Sequence, residues 1–152
     1  MTKERKSLGE SLLEKGIIDK KQLSQAQKES EKRNITLRRA LLNLGFVKEE
    51  DIISFFEKEL TIPRINLNNY IIDPQLFSLI TEEFAKKNNI IPLFKTKETL
   101  IVAVSDPLNI IAFDDLKEKT RCVIDPVIAT ESEINRIINQ NYDSKSQIED
   151  VV

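Results

Sequence analysis

The side chains that most often carry chemistry are scarce in this sequence. None of its 152 residues is histidine, so the commonest acid–base group and metal ligand is missing. Its three glycines, Gly9, Gly16 and Gly45, do not form a phosphate-binding loop, and none precedes Lys-Ser or Lys-Thr as a Walker A motif requires. We therefore expect neither an NTPase site nor a common metal site, and no enzymatic activity.

Three other groups could do chemistry, and each has a plainer interpretation. Adjacent Arg38 and Arg39 could grip a phosphate, but such a pair on a helix usually forms a solvated edge. The carboxylates of residues 49–51 could act as acid and base, but at the start of a helix they favour the macrodipole. Cys122 has no second cysteine to pair with, which fits a cytosolic protein, and we expect it to be a small buried hydrophobe.

Composition limits the kinds of partner. The net charge is −2 and charges of both signs are interleaved, so nothing favours nucleic acid or an anionic membrane surface. No apolar run is long enough to span a bilayer, and the first ten residues lack the apolar core of a secretory signal. We expect no direct insertion into a membrane.

A helix–glycine–helix unit occurs twice. LLEKGIIDKKQL at residues 12–23 is echoed by LLNLGFVKEEDI at residues 41–52, an offset of 29 residues between Leu12 and Leu41. Gly16 and Gly45 stand where a left-handed residue ends a helix. Because one such unit cannot bury its apolar face alone, the second copy is expected to pack on the first and make a four-helix lobe.

The sequence after residue 60 has a different pattern, in which short predicted helices alternate with strands. Residues 61–74 read as an irregular crossing segment, and Pro126 predicts an edge position or a bulge for the last strand. The other predicted elements are short helices over 75–80 and 82–87 with Thr81 as N-cap, a hairpin turning at Lys97-Glu98, a helix over 110–119 with Ile111, Phe113 and Leu116 along one side, a strand over 122–129, and a helix to about 141 opened by a Thr130–Glu133 capping box.

These elements predict an α+β fold. We place a helical lobe with two repeats at residues 1–60, a small three-stranded α/β sandwich at 61–142, and a flexible tail or linker at 143–152.

The repeated phrases resemble the N-terminal domain of type II secretion and type IV pilus assembly ATPases (GspE/PilB-type, the MshEN domain). That family's motif has the form RLGxxLxxxGxxxxxxLxxxLxxQ and occurs twice with a five-residue spacer. Here SLGESLLEKGIIDKKQLSQAQKES occupies residues 7–30, and TLRRALLNLGFVKEEDIISFFEKE follows at 36–59. The later phrases LTIPRINL, IIPLFK, LIVAVSDPLN and PVIATESEI are also family-like.

Some members of that family bind cyclic di-GMP through the two motifs, with an arginine and a glutamine of each motif making polar contacts. In this sequence Ser7 and Thr36 stand in place of the arginines, and Ser30 and Glu59 in place of the glutamines. We therefore expect no cofactor, with cyclic di-GMP as the alternative. The candidate nucleotide-binding residues that the resemblance implies are Leu8, Gly9, Leu12, Gly16, Leu23, Leu37, Arg38, Leu41 and Gly45.

The resemblance implies a non-catalytic docking or regulatory domain. It would link an ATPase core, in cis or in trans, to the cytoplasmic domain of an inner-membrane platform protein. The protein is then expected in the cytoplasm, or peripherally at the inner membrane through that partner. A cyclic-di-GMP sensor and a stand-alone adaptor are the alternatives, and a fragment of a longer ATPase and an independent protein both stay open.

Overall fold

The computed structural model describes residues 8–143, with Asp143 by its backbone alone. The chain divides into two compact units, Met1–Ile52 and Ile53–Val152, and the division falls inside the fourth helix. The boundary at residue 60 stays a prediction, and residues 144–152 of the predicted tail lie outside the described part. The helices are α1 (Leu8–Glu14), α2 (Lys20–Arg33), α3 (Leu37–Asn43), α4 (Glu49–Leu60), α5 (Glu82–Asn88), α6 (Ile110–Thr120) and α7 (Glu131–Ile138), and the strands are β1 (Ile90–Lys95), β2 (Thr99–Val104) and β3 (Val123–Ile128).

Gly16 ends α1 as the repeat predicted. Its φ of +76° lies in the left-handed region that only glycine adopts at no steric cost. The Gly16 N–H donates to the Leu13 carbonyl at 3.0 Å, and the Ile17 N–H donates to the Leu12 carbonyl at 2.9 Å. These two bonds form a Schellman motif, which satisfies carbonyls that the end of a helix leaves open.

The second repeat ends its first helix in the same way. Gly45 has φ +77°. Its N–H donates to the Leu42 carbonyl, and the Phe46 N–H donates to the Leu41 carbonyl, both at 3.1 Å. Each of these residues lies 29 positions after its counterpart in the first repeat, so the duplication in sequence is also a duplication of backbone hydrogen bonds.

The second helix of each repeat starts with related caps. Asp19 and Gln22 form a capping box at α2, in which each side chain accepts the backbone N–H of the other residue. At α4 the equivalent residues are Lys48 and Asp51, and the Asp51 carboxylate accepts the Lys48 N–H at 2.9 Å. Lysine has no acceptor atom, so the second repeat keeps one half of the box.

The second unit is built on a three-stranded mixed sheet in the order β1-β2-β3. β1 and β2 form the predicted antiparallel hairpin, whereas β2 and β3 are parallel and are joined through α6. The α+β fold class is thereby confirmed. Thr81 caps α5, and the Thr130–Glu133 capping box opens α7, as the sequence predicted.

Pro126 lies in an edge strand, as predicted. The Ile128 N–H donates to the Pro63 carbonyl, and the Ile128 carbonyl accepts from the Ile65 N–H, both at 2.9 Å. The backbone of Ile128 therefore faces away from β2, and by alternation so does that of Pro126 two residues earlier. The missing N–H of proline costs no ladder hydrogen bond at this position.

The prediction of which side of α6 faces the core of the second unit was wrong at one residue. Ile111, predicted to lie on the inner side of α6, is 77% exposed, whereas Ala112 and Leu116 are buried. The buried stripe follows the four-residue spacing from 112 to 116, which puts Ile111 on the outer side. This core comprises Leu67, Phe77, Ile80, Ala85, Ile90, Ile91, Leu93, Leu100, Val102, Ala103, Val104, Ala112, Leu116, Cys122, Ala129, Ile134, Ile137, Ile138 and Tyr142.

Tyr142 fastens the end of the described chain to this core. The segment predicted as a helix over 75–80 is a 3₁₀ helix, Pro74–Leu79, and α7 continues as a π-helical turn over Asn139–Asp143. From that turn the Tyr142 hydroxyl donates to the Ile80 carbonyl at 2.6 Å and lies 3.3 Å from the Phe77 carbonyl. The Tyr142 and Phe77 rings also meet edge to face, with 5.4 Å between centroids.

We predict that Tyr142→Phe lowers the free energy of unfolding by about 1 kcal/mol, because a buried carbonyl loses its donor. Tyr70→Phe is the matched control, since the Tyr70 hydroxyl lies 3.5 Å from the Leu93 carbonyl, at the limit of a hydrogen bond. Urea denaturation of both variants measures the difference. Equal losses in the two variants would contradict the anchoring role of Tyr142.

Stability at high pH gives a second readout of the same hydroxyl. Burial, with a smaller contribution from the Glu82 carboxylate, raises the pKa of Tyr142 from 10.0 to about 12. Because folding favours the protonated phenol, its contribution to stability is complete below pH 10 and is lost as the pH rises through 12.

Between pH 10 and 12 we expect the free energy of unfolding to fall more steeply in the native chain than in Tyr142→Phe. Denaturant titrations of both proteins across this range measure the two slopes. Parallel slopes would mean that the phenol titrates alike in the folded and unfolded states.

Candidate functional site

The nine candidate residues for nucleotide binding all lie in the first unit, with differing exposure. The structure brings three of them, Gly9, Leu23 and Leu37, into direct proximity. Gly9, Leu12, Arg38 and Leu41 are buried, Leu8, Leu23 and Leu37 are half-buried, and Gly16 and Gly45 are exposed.

Gly9 is the point at which α1 approaches both α2 and α3. A Cβ atom built on Gly9 would lie 2.7 Å from Leu23 Cδ1 and 2.8 Å from Leu37 Cδ2. Leu23 belongs to the first repeat and Leu37 to the second, so this contact joins the two repeats. We call the three residues the repeat seam. The close approach explains a buried glycine inside a helix, where glycine is otherwise unfavourable.

Gly16 and Gly45 have a different role. No atom lies within 4 Å of a Cβ built on either residue, so neither position is glycine for reasons of space. Both have positive φ, and both end a helix. Their place in the repeated motif is accounted for by backbone conformation, as expected.

Arg38 corrects the prediction of a solvated arginine edge. Its side chain is only 7% exposed, whereas that of its neighbour Arg39 is half-buried. Arg38 lies three residues before the fully buried Leu41, so both occupy one face of α3. It also stands 29 positions after the buried Gly9, at the equivalent point of the second repeat. The long aliphatic stem of arginine permits burial at such a position.

Two polar positions of the motif make hydrogen bonds within the chain. Thr36, in place of an arginine, is the N-cap of α3 and accepts the Arg39 N–H at 3.0 Å. Ser30, in place of a glutamine, donates from Oγ to the Ile35 carbonyl at 2.5 Å, beyond the end of α2. Glu59, in place of the other glutamine, is exposed near the end of α4, and Ser7 lies outside the described residues. The short side chains of Thr36 and Ser30 thus form hydrogen bonds with backbone groups near helix ends.

The acidic residues at 49–51 and Cys122, the other candidates for chemistry, lie where they stabilise the fold. The acidic residues at 49–51 occupy the first turn of α4, where carboxylates complement the helix dipole. Cys122 is buried just before β3, as expected of a small hydrophobe, with its Sγ 3.4 Å from the Thr120 carbonyl. Within residues 8–143, no cluster of three or more acidic, cysteine or histidine side chains could hold a metal ion. No helix in the same range has the length and apolarity needed to cross a bilayer.

The second unit contains a cleft that the sequence did not reveal. It is open, has a volume of about 1010 Å³, and lies between the β1–β2 turn and the C-terminal half of α6. The available sequence signal was the spacing of charged residues on α6 at positions 114, 117 and 118, which is that of one helix face. The cleft is lined by Lys97, Glu98, Asp114, Lys117, Glu118, Arg121, Cys122 and Val123.

We predict that Gly9→Ala destabilises the chain by about 1 kcal/mol. Overpacking of the repeat seam costs about 1–3 kcal/mol, and the better helix propensity of alanine returns about 1 kcal/mol. Because Leu37 Cδ2 is one of the obstructing atoms, Leu37→Ala should make room for the new methyl group. A double-mutant cycle of Gly9→Ala with Leu37→Ala, followed by urea denaturation, measures this coupling.

The matched control is Gly45→Ala, which is strained by its positive φ and meets no side chain. Its cost should be the same with and without Leu37→Ala. Additive effects of Gly9→Ala and Leu37→Ala would show that the seam does not join the repeats.

Comparison with known proteins agrees with the family resemblance. The MshEN domain family matches residues 60–148, which lie after the repeated motif that first suggested the family. The type IV pilus assembly ATPase PilB of Myxococcus xanthus is 36% identical over 146 residues, covering 95% of this chain and 26% of PilB. PilB of Acinetobacter baylyi is 25% identical, covering 86% of this chain and 23% of PilB. The chain spans about a quarter of the length of these relatives.

Solved structures with the same fold include a structure of MshE with cdg. Its TM-score is 0.72 at 29% sequence identity, covering 91% of this chain and 100% of that one. The N-terminal domain of XpsE shares the fold, with a TM-score of 0.70 at 22% identity and coverage of 90% and 97%. The chain therefore belongs to the MshEN domain family, and it is similar to part of the PilB ATPases and to a structure of MshE.

Proposed function

We propose that this domain is a non-catalytic docking module that holds the ATPase motor to the cytoplasmic domain of an inner-membrane platform protein. The observation that carries the proposal is the use of the repeated motif. Its apolar frame is buried at Leu12 and Leu41, while Thr36 and Ser30 form hydrogen bonds at helix ends. The repeat therefore has the character of a rigid frame in which two of the four polar motif positions, Thr36 and Ser30, make hydrogen bonds within the chain.

Rigidity is the physical requirement for such a role, because a docking domain transmits force only if its own elements keep their places. The repeat seam supplies close packing in the first unit. The Tyr142 hydroxyl bonds the last described turn to the core of the second unit. ATP hydrolysis takes place in the ATPase core, in cis or in trans, and this domain holds that core at the platform protein. Under this proposal the protein acts in the cytoplasm, at the inner membrane through its partner.

Cyclic di-GMP binding is the second candidate, favoured by the structure of MshE with cdg at 29% identity. Leu8, Leu23 and Leu37 are half-buried, so parts of the apolar frame can still be reached by a ligand. The substituted polar positions weaken this candidate, because threonine and serine lack the two parallel donors with which arginine binds a phosphate. Glu59 would also place a negative charge near an anionic ligand.

The docking function predicts binding to the platform protein's cytoplasmic domain that is independent of nucleotide. Immobilised chain is titrated with the purified cytoplasmic domain from the same organism, alone and with ATP or cyclic di-GMP. We expect the same affinity in each condition. A platform domain that shows no binding, or binds only when a nucleotide is present, would refute docking as the primary function.

Calorimetry with cyclic di-GMP tests the second candidate. We expect no heat of binding from the native chain. A variant with Ser7→Arg, Thr36→Arg, Ser30→Gln and Glu59→Gln restores the family's polar positions and should gain measurable binding. Binding by the native chain that is lost in Leu37→Asp would make the domain a cyclic-di-GMP sensor instead.

A further inference from the structure

An apolar part of the sheet is exposed at the hairpin end of the second unit. Phe94 is 53% exposed and Val123 is 57% exposed. The register pairs Phe94 with Ile101 and Thr99 with Val123, and Thr99 and Ile101 lie two residues apart on β2. Phe94, Ile101 and Val123 therefore point to the same face, and we call them the sheet patch; Ile101, between the two exposed residues, is half-buried and packs against the core.

The edges of this sheet are poor templates for an added strand. Each edge strand contains a proline, Pro92 in β1 and Pro126 in β3. On β3, backbone groups at 63 and 65 already bond Ile128. Because prolines and covered backbone groups block strand addition, a partner would meet the face of the sheet rather than its edge.

The charged cleft adjoins the sheet patch, since Val123 belongs to both. Asp114, Lys117 and Glu118 lie on α6 at three- and four-residue spacing, and Arg121 is the left-handed C-cap of the same helix. The β1–β2 turn adds one charge of each sign, at positions 97 and 98. None of these six charged side chains makes an ion pair or hydrogen bond with another described residue. A balanced set of this kind favours a partner with charges of both signs over nucleic acid or an anionic membrane.

The cleft is open and its charged wall is elongated, which suits a partner helix lying along it. An α-helix with side chains is about 10–12 Å across and rises 5.4 Å per turn. The charged positions from 114 to 121, at the C-terminal end of α6 and its C-cap, extend over about two helical turns. A two-fold contact with a second copy would place the same open cleft opposite itself and leave it unfilled.

We propose that the sheet patch and the charged cleft bind a short amphipathic helix of the docking partner. Its apolar side chains rest chiefly on Phe94 and Val123, and charged residues of both signs on its flank pair with the charged residues of the cleft. This inference rests on the proposed docking function and assigns that function a surface in the second unit. It also specifies the partner's contact segment as an amphipathic helix with charged residues of both signs.

The direct test measures affinity for the platform protein's cytoplasmic domain by biolayer interferometry. Phe94→Asp and Val123→Asp should each weaken binding at least about tenfold, as expected when an apolar contact at the centre of an interface is lost. Ile71→Asp is the matched control, because Ile71 is 93% exposed and lies outside the sheet and the cleft. Its affinity should stay within about twofold of the native value. Thermal melting of each variant verifies that it is folded.

A charge-reversal pair tests the cleft separately. Lys117→Glu with Arg121→Glu should weaken binding and reduce its salt dependence, whereas Lys87→Glu, exposed on α5 away from the cleft, should do neither. If the native chain binds the platform domain and every patch and cleft variant binds equally well, this inference is overturned and docking stands. If the native chain does not bind, the docking function fails and this inference fails with it.

Hydrogen exchange on the platform domain identifies the element that binds. Protection of one contiguous segment of about two helical turns, lost with Phe94→Asp, is the expected result. Protection of an extended strand would overturn the helical assignment.

Sedimentation of the chain alone should show a monomer at all concentrations. A dimer abolished by Phe94→Asp would assign the patch to a second copy and overturn the proposal.

Discussion

The close packing of α1 against α2 and α3 at Gly9 is the constraint on which the first unit depends. Neither repeat can bury its apolar face alone, and a glycine lets Leu23 of one repeat and Leu37 of the other approach the same backbone. The left-handed turns at Gly16 and Gly45 then return each chain segment on itself through the same hydrogen bonds. The duplication thus supplies both the helix–glycine–helix unit and a second copy on which that unit packs.

The apolar frame of the repeated motif and its polar end positions are separable. Buried leucines preserve the helix packing, whereas the polar ends of the motif can change without loss of fold. Thr36 shows how such a change is accommodated, because a threonine at the start of a helix caps it. Ser30 likewise bonds a backbone carbonyl beyond the end of its helix. The MshEN fold therefore keeps its helix packing in a chain whose polar motif positions differ from the family pattern.

The features predicted correctly from the sequence depend on local rules. Helix stops at Gly16 and Gly45, the capping box at Thr130 and the edge position of Pro126 each follow from the conformational limits of one or two residues. The errors at Arg38 and Ile111 concern which side of a helix faces inward. That choice depends on neighbours distant in sequence, and it overrode a preference based on side-chain polarity.

The charged cleft could not be predicted for a related reason. Its walls come from the hairpin turn near Lys97 and from α6 near Lys117, which are about twenty residues apart and meet only when β3 pairs with β2. The sheet patch likewise requires the strand register, since one position of slippage would turn Phe94 to the other face. Sequence periodicity identified the strands, but the surface that they share follows from their pairing.

Native-state hydrogen exchange within the first unit tests the central claim most directly, because it measures whether the two repeats open together. The amide of Ala26 in α2 and that of Leu41 in α3 belong to different repeats and are both fully buried. If the repeats form one frame, both amides exchange through openings of equal free energy, and Leu37→Ala lowers both by the same amount. If one repeat opens alone with a smaller free energy, or only α3 responds to the substitution, the duplicated helices are not a single rigid frame.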